Sequence, residues 1–106
     1  MEDRITVAIL RVSDLAPTIT TIDNTWEALG DIVGGFIEYV NAPYGIKIVC
    51  NDEGKLIGLH PNISLEGDWI AGDIVFVNTD GPETVSLTVD QIFQLYRMFG
   101  GLNYEP

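Results

Sequence analysis

Cys50 and His60 are the only cysteine and the only histidine of the chain, and a thiolate beside an imidazole base is the simplest nucleophilic pair a protein can build. A hairpin between them would bring the two together. Cys50, however, alternates with Ile46 and Ile48 in a β-rich run, the setting of a small core residue rather than of an activated thiol. One histidine and one cysteine do not make a zinc site, and Asp68 and Asp73 lack the ligand spacing of a calcium loop. Glu38 is the best placed carboxylate for acid–base work. It alternates with Phe36 and Val40, and partial burial raises a carboxyl pKa; an ion pair with a nearby Lys or Arg, or an exposed strand face, is the simpler account. Gly34-Gly35 ends a helix instead of opening one, and Gly54-Lys55 is followed by Leu56 rather than Ser or Thr, so neither forms a phosphate loop. No catalytic residue, metal ligand or cofactor is assigned.

The remaining groups suit binding. Tyr39, Tyr44, Trp69 and Tyr104 offer flat faces on which a base stacks, at about 1–3 kcal/mol each. Asn51 and Asn62 can read base edges, and Lys55, Lys47, Arg11 and Arg97 can meet phosphates. Loops on a rigid frame gather function, so the segments 51–55 and 60–69 are the expected meeting place. The expected ligand-binding set is Tyr44, Asn51, Lys55, His60, Asn62 and Trp69. Against it stands a plainer account, in which the aromatic rings belong to the core and Asn51 serves its own turn.

These residues must be positioned by short elements. Residues 5–12 read as a strand with Ile5, Val7 and Ile9 on one side and Ala8, Leu10 and Val12 on the other, hence buried on both faces. Residues 18–22 are a second strand. Asn24 as N-cap and Glu27 three positions on predict a helix whose Trp26, Leu29 and Val33 share one face, stopped by Gly34-Gly35. Residues 36–41 and 46–51 alternate as strands. Asn51-Asp52-Glu53-Gly54 reads as a hairpin turn with residues 55–59 returning as partner strand. Pro61 bars a central strand, so 60–67 reads as an irregular connection. A strand over 74–77 follows. Thr88 with Gln91 forms a capping box, Leu87 with Ile92 a hydrophobic staple, and Ile92, Leu95, Tyr96 and Phe99 the stripe of a final helix ended by Gly100-Gly101. The expected fold is α+β: five or six largely antiparallel strands with two short helices packed on one face.

Length and composition agree with a single domain spanning residues 1–106, with 46% hydrophobic and 20% charged residues. No run approaches the ~20 apolar residues of a membrane span. The acidic start, Glu2-Asp3, has no apolar leader core behind it, and a lone cysteine fits a reducing compartment. Sixteen acidic residues against five basic ones give a formal charge of −11, a field that opposes direct binding of nucleic acid or anionic membrane. The carboxylates are scattered, as solubility requires. Spaced along one exposed face, they would mimic a nucleic-acid backbone.

Four pieces taken together carry a resemblance: Gly34-Gly35-Phe36-Ile37-Glu38, the run 49–56 around Cys50-Asn51-Asp52-Glu53-Gly54-Lys55, Pro61-Asn62, and Gly72-Asp73 leading into a strand. Over roughly residues 5–99 the chain resembles a small family of unknown function found in phages and conjugative elements, mainly of Firmicutes. It departs from that pattern at His60, where a small or apolar residue is expected. The resemblance implies a mobile-element protein acting in the cytoplasm of the bacterial host, and the family has no established active site to transfer.

The expectation from these readings is a non-enzymatic counter-defence protein that sequesters a host nucleotide signal, cyclic nucleotides foremost. Such a protein would be a homo-oligomer with sites completed across a subunit interface. The alternative is an acidic DNA mimic or protein-binding inhibitor of a host nuclease or DNA-modifying enzyme, and a small hydrolase ranks behind both.

Overall fold

The computed structural model describes residues 2–106. Its frame is a sheet of β1 (Arg4–Leu10), β2 (Thr18–Asp23), β3 (Ile37–Asn41), β4 (Lys47–Asn51), β7 (Ile74–Asp80), β8 (Glu83–Val85) and β9 (Asn103–Tyr104). The strand order is β3-β4-β7-β1-β2-β9, with β8 paired to β7. Every pairing is antiparallel except β2 with β9. Two further strands, β5 (Pro61–Leu65) and β6 (Asp68–Ala71), form a separate antiparallel ribbon. The helices are α1 (Trp26–Val33) and α2 (Val89–Phe99). The α+β class with a largely antiparallel sheet is as expected.

The helices cover opposite faces of the sheet instead of sharing one. Side chains alternate along a strand, and the alternation of β1, β4 and β7 separates two cores. Ile5, Val7, Val49, Val75 and Val77 pack with Leu29 and Val33 of α1. Ala8, Leu10, Ile48, Cys50, Ile74 and Phe76 pack with Leu95 of α2 and with Ile70 of the ribbon. Central strands that are apolar on both sides require a cover on both sides. The two-sided pattern read in residues 5–12 implied a cover on both faces, but not that one helix supplies each, and the two cores correct the expectation of both helices on one face.

Both helices are closed by local chemistry. The α1 N-cap is Thr25, whose Oγ1 accepts from the Ala28 N–H at 3.1 Å, and not Asn24. Asn24 instead donates from Nδ2 to the carbonyls of Glu2 and Thr84, 3.0 Å away in each case. At the other end Gly34 takes φ 84°, and its N–H donates to Gly30 O at 2.8 Å. Thr88 and Gln91 form the full capping box of α2, and Gly100 ends it at φ 71°.

Residues 55–59 do not return as a strand. Both edges of β4 are already taken by β3 and β7. The backbone after Asn51 is used within its own turns: Asn51 Oδ1 accepts from Glu53 N–H at 2.8 Å, and Leu59 N–H donates to Gly54 O at 2.9 Å. The region read as irregular, 60–67, instead supplies β5, with Pro61 as its first residue. There a missing N–H does least harm. The ribbon turns through Glu66 (φ 47°) and Gly67 (φ 83°), the two successive positive φ values of a type I′ hairpin. Tyr44 (φ 66°, ψ 26°) and Gly45 (φ 73°) make the same kind of turn between β3 and β4, closed by Ile46 N–H to Pro43 O at 3.3 Å.

Candidate functional site

The ribbon lies on the α2 side of the sheet, because Ile70 is buried in that core and Leu65 packs against it. Between the ribbon, the turn after β4 and the sheet edge at β3 runs a cleft of about 370 Å³, within the usual size of small-ligand sites. Val40, Leu56, Leu65, Ile70 and Ala71 give it an apolar lining. Its charged lining is Glu38, Asp52, Glu53 and Asp68, with Lys55 as the cation.

Lys55 and Trp69 are arranged as a unit. Lys55 Nζ sits 4.7 Å from the centre of the Trp69 ring and 2.6 Å from Asp68 Oδ1, so the ammonium meets both a π face and a carboxylate. Asp68 also accepts from its neighbour's backbone, Trp69 N–H, at 2.7 Å. The Lys55 hydrogen bond, that N–H and the Lys55 charge together hold the Asp68 carboxyl below its ordinary range.

Glu38 and Cys50 stand directly opposite each other in the β3–β4 register, and the thiol donates to Glu38 Oε1 at 3.8 Å. Burial, followed by the Glu38 carboxylate and then the Asp52 charge, pushes the Cys50 thiol up to about 11. At neutral pH it is a protonated thiol with a carboxylate as its partner, not a nucleophile activated by His60.

Three of the six expected ligand residues, Asn51, Lys55 and Trp69, line this cleft. Asn51 does so with its amide already engaged, for Nδ2 donates to Val33 O at 3.2 Å and Oδ1 holds the Glu53 N–H. Asn62 is held elsewhere, with Nδ2 donating to Leu10 O and Gly72 O at 2.9 Å each. Tyr44 belongs to the turn at the far end of β4, where its carbonyl accepts from Gln91 Nε2 at 3.2 Å. His60 is exposed, and its carbonyl accepts from Gly72 N–H. Sequence reasoning singled out Glu38 among the rim carboxylates but missed the apolar floor and the gathering of Asp52, Glu53 and Asp68 around it. The readable signal was Glu66-Gly67, a two-residue turn that folds Trp69 back toward residues 52–56.

The motif residues have mostly structural partners: Gly34 closes α1, Asn51 and Asn62 tie backbone segments together, and Asp73 accepts from Val12 N–H and Arg11 Nη1, both at 3.0 Å. Those residues fall within a family match. Residues 5–100 match the family described as Domain of unknown function (DUF3846). The chain belongs to that family. No curated protein and no solved structure matches this DUF3846 member. Among its described residues there is no cluster of metal-ligating side chains. No helix among them is long and apolar enough to cross a membrane.

Proposed function

We propose that the protein is a non-enzymatic binding protein that captures a small nucleobase-bearing ligand in the cleft beneath Trp69. One observation carries this reading: an indole face and an ammonium, Trp69 and Lys55, stand together at the mouth of an apolar-floored cleft. The ring supplies a stacking surface for a flat base. Glu38 and Asp68 accept hydrogen bonds from exocyclic amino groups or ribose hydroxyls. Lys55, turned away from Asp68, reaches one phosphate.

The charge of the cleft ranks the candidates. With Glu38, Asp52, Glu53 and Asp68 around a single Lys55, each added phosphate increases the repulsion. A nucleoside or a cyclic mononucleotide, carrying no more than one negative charge, suits the site better than a triphosphate. In the mobile-element setting implied by the resemblance, capture would lower the free concentration of a host signal, and its effector would stay silent.

Thermal unfolding against nucleosides, cyclic mononucleotides, cyclic dinucleotides and triphosphates tests this. A ligand at 100 times its dissociation constant adds about 2.7 kcal/mol, a rise of roughly 10 °C for a domain of this size. The expected result is such a rise with a ligand of low charge, recovered unchanged afterwards. No rise across the panel rejects the reading, and consumption of the ligand replaces capture with catalysis.

A further inference from the structure

We propose that the outer surface of α1, on the face of the sheet opposite the cleft, docks a basic amphipathic segment of a partner protein, with Trp26 and Phe36 as its apolar anchors. Trp26 heads the stripe expected to face the core, yet only Leu29 and Val33 of that stripe are buried. Trp26 is 67% exposed and Phe36 77% exposed. An indole and a phenyl ring left in water on one surface have no role in this chain's own core, and aromatic side chains in such positions dominate the energetics of protein interfaces.

The shape favours an inserted side-chain row over an enclosed small molecule. Trp26 is the shared wall of two hollows, of about 210 and 400 Å³. The larger runs to Phe36 over a floor of Gly30, Gly34 and Gly35. Packing keeps two of the three bare, since a Cβ on Gly30 would meet Gly35 O at 3.0 Å and one on Gly35 would meet Asn51 Nδ2 at 2.9 Å, and Gly34 is held by its φ of 84°. The smaller hollow is walled by Tyr39 and Pro82.

Charge identifies the occupant. Glu27 and Asp31 line the larger hollow and Glu83 the smaller, and no Lys or Arg stands among the described residues lining either. Elsewhere the cations Arg4, Arg11 and Lys55 are paired with Asp23, Asp73 and Asp68, so the chain's excess of 11 negative charges has little local relief. A second copy seated on this surface would bring the Glu27 and Asp31 of both molecules into one desolvated seam, a like-charge contact that costs several kcal/mol. A segment with Lys or Arg flanking apolar residues satisfies both the rings and the carboxylates.

The test uses the full chain and three synthetic peptides of equal length: a Lys/Leu amphipathic helix, a Lys/Ser peptide of the same charge, and a Glu/Leu peptide. Fluorescence anisotropy measures affinity, and amide chemical-shift mapping locates the contact. The Lys/Leu peptide is expected to bind at α1 and residues 34–36, at least tenfold tighter than Lys/Ser, with affinity falling as salt rises, and Glu/Leu is expected not to bind. Trp26→Ala with Phe36→Ala should weaken the Lys/Leu peptide at least tenfold, and Glu27→Gln with Asp31→Gln, which keeps both rings, should weaken it severalfold. Binding that survives both pairs, or shifts that map to the α2 face, overturns the proposal. So does a homodimer in sedimentation equilibrium that Trp26→Ala dissociates, because a second copy then owns the surface.

Discussion

Asn51, near the end of β4, donates from Nδ2 to the carbonyl of Val33, the last residue of α1, 3.2 Å away. The same amide's oxygen accepts the Glu53 N–H. One side chain therefore satisfies an orphan carbonyl of the helix terminus and shapes the turn that forms the cleft wall. Asn51 is buried, so water does not replace it freely. Asn51→Ala is expected to destabilise by about 2 kcal/mol, as the buried Val33 carbonyl and the part-buried Glu53 N–H lose their partner. Asn51→Asp should restore only part of this, because it keeps the acceptor and loses the donor. Urea unfolding of the two variants measures both, and equal losses would show that a carboxylate oxygen set against the buried Val33 carbonyl cancels the Glu53 contact.

Gln91 ties α2 to the sheet. Its Oε1 accepts the Thr88 N–H at 2.9 Å, and its Nε2 donates to Tyr44 O and to Asn78 Oδ1 at 3.2 and 3.0 Å. Thr88 contributes one cap bond to the Gln91 N–H. Thr88→Ala is expected to cost about 1 kcal/mol and Gln91→Ala about 2–3 kcal/mol. Chemical denaturation that ranks them the other way would place the value of the box in the cap alone.

Tyr44 occupies the left-handed region at φ 66° in a turn whose next residue, Gly45, does the same. A bulky side chain is strained there, whereas asparagine is tolerated and favours this hairpin turn. Tyr44→Asn is expected to stabilise by about 1 kcal/mol. A lower melting temperature would show instead that the tyrosine ring makes contacts worth more than the strain.

Cys50 makes stability fall in alkali. Its folded pKa, raised to about 11 from 9.0 by burial and then by Glu38, means that above pH 9 the unfolded chain releases a proton that the folded chain retains. The contribution is therefore whole below pH 9 and is lost as pH rises through 11. Between pH 8 and pH 11 the native protein is expected to lose about 2 kcal/mol more than Cys50→Ala does. Parallel pH profiles of the two proteins would reject the burial argument.

Lys55 and Trp69 separate binding from folding. Both side chains are partly exposed, and exposed ion pairs add little to stability. Lys55→Met is expected to let the Asp68 carboxyl rise toward its ordinary pKa, read by NMR titration, with the melting temperature nearly unchanged. Trp69→Ala should weaken any stacked base by about 1–3 kcal/mol, roughly 5- to 150-fold. Undiminished affinity in Trp69→Ala would move the ligand out of this cleft.

The elements were legible where chemistry is local. Thr88-Gln91, Gly34 and Gly100 act as read, because a cap needs only its own neighbouring residues. Asn24 misled because two adjacent residues were both competent caps. The choice fell to Thr25 once Asn24 was claimed by the carbonyls of Glu2 and Thr84. The strand expected over 55–59 failed for a similar reason: a hairpin signal cannot report that both edges of β4 are already taken. Within the expected binding set, Lys55 and Trp69 meet because Glu66-Gly67 turns the ribbon back. Asn51 shares their cleft with its amide engaged in holding the frame, and Asn62 is engaged elsewhere.

Residue types and spacing by themselves determined the class of fold, the helix ends set by Gly34, Thr88 and Gly100, the two-sided burial of β1 and the strongly negative charge. Each follows from neighbours a few residues apart or from a sum over the whole chain. Tertiary structure alone decided that the helices cover opposite faces, that Cys50 faces Glu38, that Lys55 sits over Trp69 and that Trp26 points into solvent. Those are contacts between distant segments, and which partner a side chain finds depends on strand order and register, neither of which local pattern contains.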